Sequence, residues 1–235
     1  MEALLVRSGR DFVPLRRAFV QDRRRGGGAG PLAAFVTARR RRALDLYLLL
    51  RALASKEPWD VELPAVVWAR LLGLSRDGAG TAISRQWTWL EQQRLIDQQQ
   101  TGRQRRLIVL REDGSGRRYT HPGVATNEVA AEGDYFPLPH TYWAAGMQEW
   151  ADLPTKAVLL IALSLPDDFV LPLDRGPQWY GLSRDTIRTG LRGLLTRGFL
   201  RMRSFRKSAP LTAAGYTLER RYTLAGPFRR EGERT

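Results

Sequence analysis

The pentapeptide GLSRD stands at residues 73–77 and again at residues 181–185, 108 positions apart in a chain of 235. Whatever this chain folds into must accommodate the same local unit twice. Without a gap the match extends upstream: Pro58, Asp60, Leu63 and Pro64 fall opposite Pro166, Asp168, Leu171 and Pro172, giving nine identities in twenty aligned positions. Such self-similarity marks a duplicated structural unit. Downstream, GAGT at 78–81 is an insertion in the first copy, after which Ile83, Trp87 and Leu90 align with Ile187, Leu191 and Leu194. The match closes on RRYT, at 117–120 and at 220–223.

Each copy opens with an apolar helical run, at 41–54 and at 155–165, which Pro58 and Pro166 stop because proline lacks the amide donor and restricts its predecessor. A short second helix follows. In the second copy Pro177 reads as its first position, where proline is tolerated. Gly73 and Gly181 suit the left-handed residue that ends this helix, and Ser183, with Ser75 as its counterpart, is placed to cap the next. In the third helix the four- and three-residue spacings put Ile83, Trp87 and Leu90 on one face, and Ile187, Gly190, Leu191 and Leu194 on one face of its counterpart. Basic hairpins follow, the first turning near Thr101 and Gly102 and the second built from FLRMRSF and GYTLERRYTL. Upstream of the first copy, periodicity from Pro31 almost to Ser55 predicts one long helix crossing the four arginines Arg39 to Arg42. Trp87, Trp89, Trp179 and Tyr180 adjoin the apolar faces, which favours core packing over base stacking.

Helix, helix, turn, helix, hairpin is the layout of the winged helix-turn-helix family, and GLSRDTIRTGLRGLLTRGFLRMR is similar to the recognition helix and first wing strand of its bacterial members. The resemblance covers about two thirds of the chain. It implies a mainly α protein with small β-hairpin wings (α+β), arranged as two tandem winged helix-turn-helix domains. The expected boundaries are an N-terminal extension and basic Gly-rich connector at 1–30, a first domain at 31–122, a packed connection at 123–150, a second domain at 151–228 and a disordered tail at 229–235. Double-stranded DNA is the implied partner, with the third helix in the major groove and the wing beside it. The helices then offer Arg76, Thr81, Ser84, Arg85, Thr88 and Gln92 in the first copy, and Arg184, Thr186, Arg188, Thr189 and Arg192 in the second. Arg76 and Arg184, at the helix starts, suit phosphate. The wings add Arg103, Arg105 and Arg106, and Arg203, Arg206 and Lys207.

Charge agrees with a polyanionic partner: Lys plus Arg number 38 against 24 Asp plus Glu, a formal +14 carried largely by arginine. Absence of cysteine excludes disulfides and thiolate metal sites. His121 and His140 stand apart, and neither paired-His nicking chemistry nor an Arg/His recombinase constellation is visible. Asp167 and Asp168 sit at a helix exit, where turn formation explains them better than a metal. The expectation is therefore a non-enzyme without cofactor, metal or evident small-molecule ligand. The composition also fits a cytoplasmic, nucleoid-associated protein with no membrane partner, and leaves room for a homodimer. Sequence-specific regulation of transcription is the leading role; plasmid replication initiation at origin repeats and a protein-interaction adaptor are the alternatives.

Overall fold

The computed structural model describes residues 5, 9–22, 28–74, 78–101, 104–123, 135–208, 210–211 and 215–230. Two helices set its plan. The helix Leu153–Ser164 starts on Asp152, whose carboxylate accepts the Thr155 amide at 2.8 Å, and continues as AVLLIAL. Apolar around most of its circumference, it is buried on nearly every side. The helix Arg41–Leu53 is its counterpart in the first repeat, with residues 43–52 all buried.

In chain order the elements are β1 (Phe12–Arg16), β2 (Gln21–Asp22), β3 (Gly28–Ala29), α1 (Leu32–Thr37), α2 (Arg41–Leu53), β4 (Asp60–Glu62), α3 (Ala65–Leu71), α4 (Ala79–Gln92), β5 (Ile96–Thr101) and β6 (Gln104–Val109). Then come β7 (Tyr135–Pro139), α5 (Thr141–Ala144), α6 (Met147–Trp150), α7 (Leu153–Ser164), β8 (Phe169–Val170), α8 (Gly176–Tyr180), α9 (Arg184–Thr196), β9 (Leu200–Ser208) and β10 (Tyr216–Leu224). Among the described residues the strands form four small antiparallel sheets, ordered β1-β7, β2-β3, β4-β6-β5 and β8-β10-β9. The two three-stranded sheets share one pattern: the short strand before the helix pair lies beside the last strand of the hairpin.

The α+β class expected from the sequence holds, but the two tandem winged helix-turn-helix domains do not. Among the described residues the chain is a mix of helices and four antiparallel sheets, and one apolar core cluster runs from Leu5 to Phe228 through both repeats. The repeat read from the sequence predicts the order of local elements and not the way the halves merge. Two buried polar clusters stand in that core, the first joining the two repeats and the second tying β1 to the first repeat. Lys156 of α7 donates to both Asp45 oxygens of α2 at 2.6 and 2.7 Å, with Tyr142 donating to the same carboxylate at 3.4 Å. Glu112, wholly buried, accepts from Arg16 of β1 and Arg51 of α2, both at 2.8 Å. Arg51 also donates to the Pro14 carbonyl at 2.8 Å and lies 3.9 Å from the Tyr119 ring centroid.

Two further departures have local causes. The single helix expected over 31–55 is broken: Arg39 takes φ +53, the Arg39 amide bonds the Val36 carbonyl and the Arg40 amide bonds the Phe35 carbonyl. That is a Schellman ending with arginine in the left-handed position glycine usually occupies. Nor does residue chemistry point to strands at FVPLR or YFPLP, since proline weakens a strand reading. In β1-β7, Pro14 lies opposite Pro137 as a pair that exchanges no amide hydrogen bonds, so neither ring costs the ladder a donor. Between the repeats Phe136, Tyr142 and Trp143 are buried, and Arg230 near the chain end donates to the Leu163 carbonyl at 3.1 Å.

Burial pushes the Asp45 carboxyl above its ordinary value and holds the Lys156 ammonium below its own, desolvation outweighing their mutual attraction in both cases. K156M, which strands the Asp45 charge, is expected to lower unfolding free energy in urea by roughly 3–5 kcal/mol. The double variant D45L/K156M should recover most of that loss, because it removes both desolvated charges together. Gly190→Ala would bring a Cβ to 2.4 Å from the Pro154 carbonyl and from Val158 Cγ2. It should cost about 1–3 kcal/mol in the same assay, as overpacking does.

Candidate nucleic-acid interface

In α9 the first turn is organised by Ser183, whose hydroxyl accepts the Thr186 amide at 3.1 Å and lies 2.9 Å from Thr186 Oγ1. Ile187, Gly190, Leu191 and Leu194 are buried. Two of the helix's small residues permit unusually close seating on α7: a Cβ on Gly190 or on Gly193 would fall within 2.4 Å of Pro154 or Thr155 atoms. With that face spent on the core, Arg184, Asp185, Arg188, Arg192 and Thr196 point to solvent, while Thr186 and Thr189 are half-buried.

Arginines at 184, 188 and 192 recur every four residues and so form one row up the helix. Arg188 pairs with Asp185 at 2.6 Å and Arg184 with Asp174 at 2.7 Å, in each case with side chains more than half exposed. Exposed pairs of this kind are worth about 0–1 kcal/mol, so both guanidiniums exchange readily to another anion. Arg192 has no ionic or hydrogen-bonding partner among the described residues. Thr186 is committed to the cap.

The first repeat presents a sparser face. Gly78 stands before α4 in the left-handed conformation without a side-chain cap. Ile83, Trp87, Trp89 and Leu90 are buried, with Trp87 edge-to-face against Trp68 and Trp89 against Phe35. Trp179 packs partly buried against the core and Tyr180 is buried, so these four aromatics are packing residues. Thr81, Arg85, Thr88 and Gln92 are exposed and Ser84 is half-buried. The Thr88 hydroxyl bonds back to the Ser84 carbonyl at 3.2 Å, and Arg85 is the exposed cation of α4.

The hairpins differ more than their sequences suggest. In the first, Arg105 donates to Gln98 at 2.9 Å and Arg106 is ion-paired with Asp60, so both guanidiniums are used inside their own sheet. Arg76 and Arg103 lie outside the described residues. In the second, eight of the nine β9 residues are exposed, Arg203, Arg206 and Lys207 among them. Arg201, exposed near the root of the same strand, belongs with them. Strand β9 forms one edge of its sheet, and nine registered pairs with β10 make a ribbon of about 30 Å at the usual rise per residue. Apolar side chains are exposed along it too, Leu218 at 62% and Phe205 at 45%. Arg206 lies over the Tyr216 ring at 4.8 Å and Arg221 over Phe205 at 5.6 Å.

No helix among the described residues is long and apolar enough to cross a membrane. Because one hydroxyl organises the start of α9, Ser183→Ala is expected to cost about 1 kcal/mol in thermal or urea unfolding and to speed amide exchange in its first turn. Against known proteins, no family model matches the chain, and no curated protein resembles it closely enough to be matched.

Proposed function

We propose that the protein binds double-stranded DNA through the arginine row of α9 and the basic ribbon that follows it. The observation that carries this reading is the pairing of an exposed row, Arg184, Arg188 and Arg192, with eight consecutive exposed residues of β9 only a short turn away. A major groove admits a helix or a two-stranded ribbon, and guanidinium reads guanine by paired hydrogen bonds. Arg201, Arg203, Arg206 and Lys207 supply the charge that contacts phosphate, in keeping with the +14 of the whole chain. Arg85 on α4 provides a second and different face, so the bound site is expected to be bipartite and not palindromic.

Selection from a random duplex pool, followed by anisotropy titrations, tests this. Arg188→Ala should weaken binding of the selected duplex by roughly 1–3 kcal/mol and relax the preference at one position. Arg203→Gln should weaken all duplexes alike and lower the salt slope by about 0.9. Equal affinity for selected and random duplex would remove the specificity. Absence of binding at low salt would remove the reading altogether.

A further inference from the structure

Where α1 ends and α2 begins, the four consecutive arginines Arg39 to Arg42 line a cleft of about 410 Å³. Gln86 of α4 stands on another wall, and Gln148 and Glu149, from the connection between the repeats, close it. The arginines differ in what they do. Arg41 is structural, donating to the Gln148 carbonyl at 3.1 Å and to the Glu149 carbonyl at 2.6 Å. Arg40 lies over the Trp89 ring at 5.7 Å, a contact that leaves its N–H edge free to donate. Arg39, Arg40 and Arg42 have no carboxylate within ion-pairing distance among the described residues.

Nothing nearby offsets that charge in full. Asp45, on the cleft floor, is already held by Lys156. Glu149 is the remaining carboxylate of the lining, one against three guanidiniums. Helix α2 begins there with no acidic residue in its first turn and no side-chain cap, so its positive end adds to the arginines. Arg39 also occupies a left-handed backbone position that glycine would fill with less strain. A helix start that most proteins neutralise is here made more positive.

We propose that this cleft is a binding site for a phosphoryl group, held by forked hydrogen bonds from Arg39, Arg40 and Arg42. The group is supplied either by the backbone of a duplex lying along α4 or by a small free phosphate ester. The inference does not depend on the duplex reading, because the second source needs no DNA.

The test compares the natural chain with R39Q/R42Q, both positions being exposed, and with a charge-matched control, R117Q/R229Q, placed away from the cleft. Inorganic pyrophosphate is titrated calorimetrically, and a random-sequence duplex is titrated by anisotropy across a salt series. Loss of about 1.8 from the duplex salt slope in R39Q/R42Q alone assigns the site to backbone phosphate. Pyrophosphate binding that weakens at least tenfold in R39Q/R42Q alone assigns it to a free ligand. If the duplex binds but R39Q/R42Q changes nothing, or the control changes as much, the cleft proposal is overturned and the duplex reading survives. Pyrophosphate binding of that kind without duplex binding upholds the cleft and removes the duplex reading, and binding of neither removes both.

Discussion

The structure depends on one buried contact, the carboxylate of Asp45 held by the ammonium of Lys156. Each sits on a helix otherwise committed to the apolar core, one helix from each repeat. Neither charge is tolerable there alone, so the two helices are compatible with burial only in the register that brings the pair together. Tyr142 and the Gln148 carbonyl join the same cluster, which draws the connection between the repeats into the core. Arg16, Glu112 and Arg51 repeat the arrangement on the other side of α2, fixing β1 against the first repeat. The Lys156–Asp45 contact thereby joins a helix of each repeat within one core cluster.

From that lock the surface follows in steps. Helix α7 is buried on nearly every side, and its first turn, Pro154 to Val158, is the floor on which α9 rests through Gly190 and Gly193. With its apolar and glycine positions consumed, α9 has only its polar side left for solvent. The turn after α9 then launches β9 away from the core, and only Leu200 at its root is buried. Exposure of the arginines is thus a consequence of how completely the rest of the unit is buried.

Much of this is legible in the sequence because it is local. The Ser183 cap, the left-handed Gly73 and Gly181 and the buried faces of α4 and α9 each follow from residue chemistry within one or two turns, and Pro177 falls in the first turn of α8, one position after the start read for it. What escapes is what depends on distant partners or on a rule being broken. The α1/α2 break is hidden because arginine, not glycine, takes the left-handed position. The β1-β7 sheet is hidden because both strands carry proline, and only their opposition in register makes that harmless. Arg105 and Arg106 look like free cations until Gln98 and Asp60 are seen beside them. The architecture departs from its expectation for the same reason: a resemblance within each repeat says nothing of an ion pair spanning 111 residues.

The glycine seat of α9 has a consequence for how this protein changes over time. Because α9 is anchored through Gly190 and Gly193 and through Ile187, Leu191 and Leu194, its outer row of Arg184, Arg188 and Arg192 is left in solvent. Substitutions at 184, 188 or 192, away from the packed face, should each be worth about 0.5 kcal/mol or less to the fold and so can accumulate singly. The inner row has no such freedom, since even one added methyl at Gly190 or Gly193 collides with α7. One helix therefore holds a surface open to rapid divergence on a base that must stand still.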